Sequence, residues 1–474
     1  MKKNNIFIGM AVLMVLAMSS CSDYTDIQPK GKNLLTNVSD LDMLLNYEYD
    51  ASWRLPSMVV NDIYPYMSNY SNTVSAPVKA INYYYWTWDD DPARNSLIES
   101  DNWYNYYYHA ISKVANSVIA KADEAEGDRQ LAMRYKAEAY VIRAWFAYLA
   151  VNRYAKAYDP QKADQTPGVC YPLETEEVGT AYTRYSVAEV YDMILKDLDT
   201  ALGMNALDDV PENQMRMSKV FALAAKAKVL MSMQRFNDAL QCARQSLELN
   251  NQIYDHRPFL QTGVMVRKRL EVVEDLFMAP MSVSFYMATN EFEQAVEPGT
   301  ILVKALPTEE LYARLYYGME GYMEGGYSDY GLMHPEMYDF NFNFHLNSDG
   351  LTTADMHLTE AECLLRGGNI DEAMNVLDKV RVNRIDPEIY KPLKGNVTSK
   401  EEAIIHLKQA YRLEGFCTMK TFCNMKRWNI ENDWKETLTK TINGDTYTLS
   451  PESRLWVFPF PINVLSTNPN LSND

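Results

Sequence analysis

The densest run of binding chemistry in the chain is Tyr83-Tyr84-Tyr85-Trp86-Thr87-Trp88-Asp89-Asp90-Asp91. Sugar rings present apolar C–H faces, so exposed aromatic rings stack on them while Asp and Asn side chains bond the hydroxyls. In an extended strand alternate side chains share a face, which would put Tyr84, Trp86 and Trp88 on one side and Tyr83 and Tyr85 on the other. Either set would make a platform. Trp86 and Trp88 are the expected ligand contacts, with Tyr84 and Asp89 beside them, because an Asp-rich stretch follows. The competing expectation is that the rings pack against helices, and it is the stronger one for Trp103 and Tyr107, which stand at helical spacing in the next aromatic run.

Catalytic patterns do not accompany this run. The six histidines, His109, His256, His334, His345, His357 and His406, form no H-E-x-x-H or other close ligand pair, and there is no G-x-S-x-G, P-loop or G-x-G-x-x-G. Acidic pairs such as Asp89/Asp90 have the chemistry of a glycosidase pair, but acidic residues are abundant and spacing in sequence does not fix a separation in space. No D-x-D-x-D-G loop appears, so neither an obligatory metal nor a cofactor is expected.

The whole chain sets the frame. Its 474 residues are 47% hydrophobic and 23% charged, enough for a large core. Lys and Arg number 45 against 63 Asp and Glu, a formal net charge of −18, which disfavours nucleic acid because each phosphate contact needs a cation. Tyrosine is the oddity: 34 residues, clustered, as in a core or a binding surface.

The N-terminus reads as an address. Lys2-Lys3 precede an apolar run from Ile6 to Met18, short of a membrane span and of the length of a signal-peptide core. It ends Ser19-Ser20-Cys21, which resembles a bacterial lipobox, so residues 1–20 are expected to be removed and Cys21 to carry the lipid, anchoring the chain without a spanning segment. Residues 21–40 follow as a polar tether and 41–474 as the folded part. The remaining cysteines, Cys170, Cys242, Cys363, Cys417 and Cys423, are odd in number and widely spaced, which argues against a dense disulfide framework.

Amphipathic helices dominate the folded part. They are expected near Ser100–Ala125, at Leu131–Ala155 with Tyr135, Ala139, Ile142, Phe146 and Leu149 on one face, and after the capping box Ser186–Glu189. Helices at Ser218–Met233 and Asn237–Leu249 form a hairpin with tetratricopeptide-like spacing at Phe236, Ala239, Ala243 and Ser246. The register returns at Ile370, Ala373, Leu377 and Val380, after a helix at Thr353–Leu365, too far along the chain for a regular tandem array. The helical scaffold thus covers about 100–250 and 353–428. Between them, about 251–352 is loop-rich with a few short strands. One helix is expected over Glu401–Phe422, capped by Ser399, then a hairpin over Ile442–Leu449 around Asn443-Gly444.

These blocks resemble the SusD/RagB family of nutrient-binding lipoproteins, the partners of SusC-type TonB-dependent transporters, over most of the chain. The likeness is carried by the lipobox, Glu138-Ala139, Arg143-Ala144 with Trp145-Phe146, Gly168 to Pro172, Tyr185 to Tyr191, and Glu360-Ala361-Glu362 with Asn375, Val380-Arg381 and Arg384. Glu414-Gly415, Lys426-Arg427-Trp428 and the ending Trp456 to Asn470 continue it. Asp378 breaks the pattern, Cys417 stands where the family usually has Arg, and the span from Glu414 to Trp428 is about a turn long. The resemblance implies a mostly α, SusD-like fold of irregular tetratricopeptide-like hairpins and a lipid-anchored protein on the exterior of the outer membrane. Such a protein captures an oligosaccharide or polysaccharide and delivers it to a SusC-like transporter. It also makes Tyr322, Tyr327 and Tyr330 in the insertion second ligand candidates, since the family carries substrate aromatics there. A glycoside-processing enzyme, a peptide-binding member of the same family and a pure repeat scaffold are the alternatives.

Overall fold

The computed structural model describes residues 35–47, 49, 54–63, 78–176, 179, 181–262, 267, 270–282, 288–305 and 345–473. Cys21, Tyr322, Tyr327 and Tyr330 lie outside the described residues. The chain opens with helices α1 (Val38–Leu45), α2 (Arg54–Val59), α3 (Ile81–Trp86), α4 (Asn102–His109) and α5 (Asn116–Lys121), with one π-helical segment, Ala110–Ala115, joining the last two. The 26-residue α6 (Arg129–Tyr154) follows, started by Asp128, whose carboxylate accepts from Gln130 and Leu131 N–H groups. A short ribbon, β1 (Pro167–Cys170) with β2 (Arg184–Ser186), leads into α7 (Val187–Gly203), where the Ser186/Glu189 capping box is present as the sequence suggested.

α8 (Lys219–Ser232) and α9 (Phe236–Leu249) form the first repeat-like hairpin, and α11 (Thr353–Arg366) and α12 (Ile370–Arg381) the second, numbered with α10 (Asn290–Ala295) between them. Although over a hundred residues separate the hairpins in sequence, α9 packs directly on α11, so the stack is continuous in space. The intervening segment leaves and returns along itself: β3 (Asp275–Phe277) pairs antiparallel with β6 (Leu351–Thr352), and β4 (Pro280–Ser282) with β5 (His345–Asn347). Asn347 locks that stem, its oxygen accepting from Ala279 and Gly350 N–H groups and its amide donating to Asp275 and to the Phe277 carbonyl. The fold is mostly α with few short strands.

The C-terminal part corrects one expectation. The single helix foreseen over 401–422 is two, α13 (Lys400–Glu414) and α14 (Met419–Trp428). Gly415 ends the first, Cys417 adopts a left-handed φ of +56°, and Thr418 caps the second by accepting from the Lys420 N–H. Glu414 and Trp428 thus stand at the ends of two separate helices. β7 (Leu438–Ile442) and β8 (Asp445–Leu449) then form a two-stranded ribbon, longer than foreseen, around Asn443-Gly444, both at positive φ as a type I′ turn requires.

The core runs along α6, whose residues from Val141 to Tyr154 are all buried. Most of the sequence blocks that carry the family resemblance are ion pairs tying this core together. Glu138 on α6 accepts from Arg216 at 2.8 and 3.1 Å, and Arg143 donates to Asp197 on α7 at 2.6 and 2.8 Å. Arg384 donates to Glu414 at 2.6 Å and to Glu274 at 2.9 Å. Asp378, the break in the expected pattern, accepts from the Leu393 and Lys394 N–H groups at 2.8 and 3.0 Å and so holds the following loop.

Glu362 on α11 is fully buried and accepts from Arg427 (2.7 and 2.5 Å), Arg366 (2.9 Å) and the Trp428 indole (3.2 Å). Burial alone would raise its pKa, but the Arg427 and Arg366 guanidiniums hold the carboxyl well below the usual carboxylate range. A carboxyl depressed on folding stabilises the fold above its unfolded pKa, and that contribution is lost as pH falls through its folded value. Glu362→Gln is therefore expected to lower unfolding free energy by about 3–5 kcal/mol at neutral pH, because Arg427 is left buried without its counter-charge. Denaturant titration checks this, and the loss should shrink as the pH is taken from 6 towards 3 (about the range in which a paired carboxylate is titrated).

Candidate functional site

The aromatic run is not a strand. Residues Ile81–Trp86 are α3, so the alternation foreseen for 83–88 is replaced by helical geometry, because packing overrides the strand preference of clustered aromatic residues. The helix ends in a Schellman arrangement: the Asp89 N–H donates to the Tyr84 carbonyl at 3.0 Å and Trp88 takes the left-handed position with φ +54°. Glycine usually stands there. The Trp88 indole N–H donates to the Val59 carbonyl at 2.9 Å, which fixes the ring despite the backbone cost.

That turn brings Trp86 and Trp88 to either side of one cation. The Lys440 ammonium, from β7, lies 3.7 Å from the Trp86 ring centroid and 4.1 Å from that of Trp88, and it donates to Asn61 Oδ1 at 3.4 Å. Trp86, Trp88 and Tyr84 are buried, at 2%, 6% and 6% exposure. The exposed platform expected of these three residues is thus corrected: the Trp86 and Trp88 rings face Lys440 and the core, and Tyr84 is buried edge-on to Tyr83. Burial pushes the Lys440 pKa well below the usual lysine value, with Glu291 acting against it, while the two indole faces favour the charged form. Trp103 and Tyr107 are core residues, as their spacing foretold.

The partly open side of the segment is polar. Asp89 pairs with Lys79 at 2.9 Å, and the same ammonium sits 4.4 Å over the Tyr83 ring. Asp90 accepts from Ser453 and from the Arg454 N–H, and Asp91 caps the short 3₁₀ turn at Pro92 by accepting from Ala93. The Asp run therefore organises local backbone. Among the described residues no group of three His, Cys, Asp or Glu side chains is placed to hold a metal, and the five described cysteines are buried and unpaired.

A cavity of about 280 Å³ opens between α10, α13, α14 and the segment before β7. Gln294, Gln409, Arg412, Thr421, Met425 and Trp428 are among its walls. Arg412 reaches beneath it to Asp62 (3.0 Å) and to the Val60 and Asn61 carbonyls (2.7 and 3.3 Å). Burial raises the Asp62 carboxyl to about 7, with Arg412 opposing. The turn at Asn61, itself at φ +62°, therefore joins this cavity to the tryptophan–lysine cluster. The cavity was not foreseen in sequence. Its signal was Ile405, Lys408, Gln409 and Arg412, which share one helical face but read alone as a solvated stripe.

Residues 33–231 match a family model, SusD-like_3, described as starch-binding associating with outer membrane. Solved structures of similar shape include a SusD superfamily protein from Bacteroides thetaiotaomicron VPI-5482, with 15% identity, TM-score 0.66 and coverage of 92% of this chain and 99% of that one. A SusD-like carbohydrate binding protein from Bacteroides vulgatus ATCC 8482 follows at 14% identity, TM-score 0.58, covering 92% and 97%. Surface glycan-binding protein A from Bacteroides uniformis gives 13%, 0.62, 92% and 98%. At these identities the likeness is one of fold. No curated protein matches the sequence.

The lysine cluster yields a stability test. Unfolded, Lys440 holds its proton up to about pH 10.4, whereas the buried side chain releases it earlier. The unfolded chain then binds more protons over that interval, so this residue makes stability rise with pH up to the unfolded pKa. Lys440→Met is expected to be neutral or stabilising at pH 7 and to flatten the rise between pH 7 and 10 (about the interval below a free lysine pKa) in denaturant unfolding compared with the parent. Trp86→Ala is expected to lose about 3–5 kcal/mol in the same assay.

Proposed function

We propose that the chain is a SusD/RagB-like surface glycan-binding lipoprotein that captures an oligosaccharide and delivers it to a SusC-like TonB-dependent transporter. The observation that carries this reading is the match of residues 33–231 to a starch-binding, outer-membrane-associated family, joined to a fold shared over 92% of the chain with SusD-like proteins. Similar structures named as carbohydrate binding and surface glycan-binding support the ligand class.

Cys21 is the proposed lipid site, and no described helix is long and apolar enough to cross a membrane. In this reading the protein contributes affinity and gating, not bond cleavage. Ligand contact is proposed on the partly open side of the 79–91 segment, through Tyr83 and Asp89, with Tyr84, Trp86 and Trp88 supporting it from beneath. Tyr322, Tyr327 and Tyr330 remain the proposed aromatic contacts of the insertion.

Two measurements test the reading. Affinity electrophoresis of residues 22–474 against host-mucin, plant and microbial polysaccharides, with thin-layer analysis of the same mixtures, is expected to show retardation by at least one polysaccharide and no products. Products would overturn it in favour of an enzyme, and no retardation on any glycan would shift the ligand class to peptides. In cells, Cys21→Ala is expected to move the protein out of the outer-membrane fraction, and unchanged fractionation would refute lipid anchoring at that residue.

A further inference from the structure

The β7–β8 ribbon meets the 79–91 segment through Lys440, and side-chain alternation divides it into two faces. Thr439, Thr441, Thr446 and Thr448 are exposed on one, and Lys440, Ile442 and Leu449 are buried on the other. Tyr447 belongs to the second face, directly across from Lys440 in the register, yet it is only half-buried. A chain of neighbours fixes its place. The Lys440 ammonium lies 3.7 Å from the Trp86 ring centroid, and Trp86 follows Tyr83 by three residues on α3, which puts the two on one helical face. Tyr447 therefore stands where the ribbon approaches the half-buried Tyr83 ring. Its titration agrees: partial burial, then Asp445 and Tyr83, push the Tyr447 phenol above its usual pKa, so the two phenols lie within electrostatic reach of each other.

We infer that Tyr447 is a further ligand-contact residue, forming with Tyr83 a two-ring surface for a neutral glycan chain. Two half-buried rings on separate elements can each take the C–H face of a sugar unit, so the surface suits an oligosaccharide better than a single sugar. Lys79 and Asp89, whose side chains are 48% and 27% exposed, can bond hydroxyls beside Tyr83. Charge selects against acidic glycans. Lys79 is already paired with Asp89 at 2.9 Å, and exposed Asp445 stands two residues from Tyr447 on the same strand, so an anionic chain laid over both rings would meet carboxylates at each end. The inference rests on the glycan-binding reading and adds to it a second element and the charge of the ligand.

Affinity electrophoresis of residues 22–474 tests it on soluble starch, galactomannan and xyloglucan, with polygalacturonate and chondroitin sulfate as acidic counterparts. Retardation is expected on at least one neutral polymer and on neither acidic one. Tyr447→Leu keeps apolar packing at the ribbon but removes the ring, and should weaken that binding about two- to tenfold, the range for one aromatic contact. Tyr447→Phe keeps the ring and should bind as the parent does. Thr448→Ala, on the opposite face, should leave binding unchanged, and all three variants should melt within a few degrees of the parent. Preference for the acidic polymers would overturn the inference. Neutral-polymer binding unchanged in Tyr447→Leu, or an equal loss in Tyr447→Phe or Thr448→Ala, would overturn it while leaving glycan binding intact. Silence on all five polymers would remove the glycan reading and this contact together.

Discussion

A helix buried on every side cannot carry charge unless each charge meets a partner inside, and α6 carries Glu138, Arg143 and Arg153 within its buried length. Their partners come from distant parts of the chain: Arg216 for Glu138, Asp197 for Arg143, and for Arg153 the faces of Trp103 and Phe458, 4.4 and 4.3 Å away, with Asp101 at 3.6 Å. Each pairing fixes one register of the helices and loops around α6. A slip by one residue would bury unpaired charge, so these contacts select one arrangement even where an apolar substitute would be as stable. Glu362 does the same between α11 and α14.

This constraint explains why the helices were legible. Periodicity and capping boxes placed α6, α7, α8, α9, α11 and α12 within a few residues of their observed ends, since these elements are long and their apolar faces are set by burial. The family-like blocks were recognisable for the same reason: Glu138, Arg143, Glu362, Arg384, Glu414 and Arg427 are where a buried charge leaves little choice of residue.

The sequence was less legible where local preference and packing disagree. Clustered tyrosine and tryptophan suggested a strand over 83–88, yet that segment is a helix whose rings close on Lys440, a residue far away in sequence that no pattern linked to it. The break between α13 and α14 was hidden because Cys417, unlike glycine, does not announce a left-handed turn. The cavity was invisible because its walls come from three separated helices that only the fold brings together.

Strain marks the same region independently. Of the seven non-glycine residues at positive φ among the described ones, Asn61, Trp88, Cys417 and Asn443 belong to the segments that meet around the lysine cluster and the cavity. Asn61 accepts from Lys440 and its carbonyl from Arg412, Trp88 flanks the ammonium, Asn443 turns the ribbon that carries Lys440, and Cys417 separates the two helices that wall the cavity. Each left-handed residue without a glycine costs about 1–2 kcal/mol, and such conformations persist only where surrounding contacts hold them. The Lys440 cage and the Arg412 bonds are those contacts. They hold the Asn61 turn between the aromatic segment on one side and the cavity walled by α13 and α14 on the other.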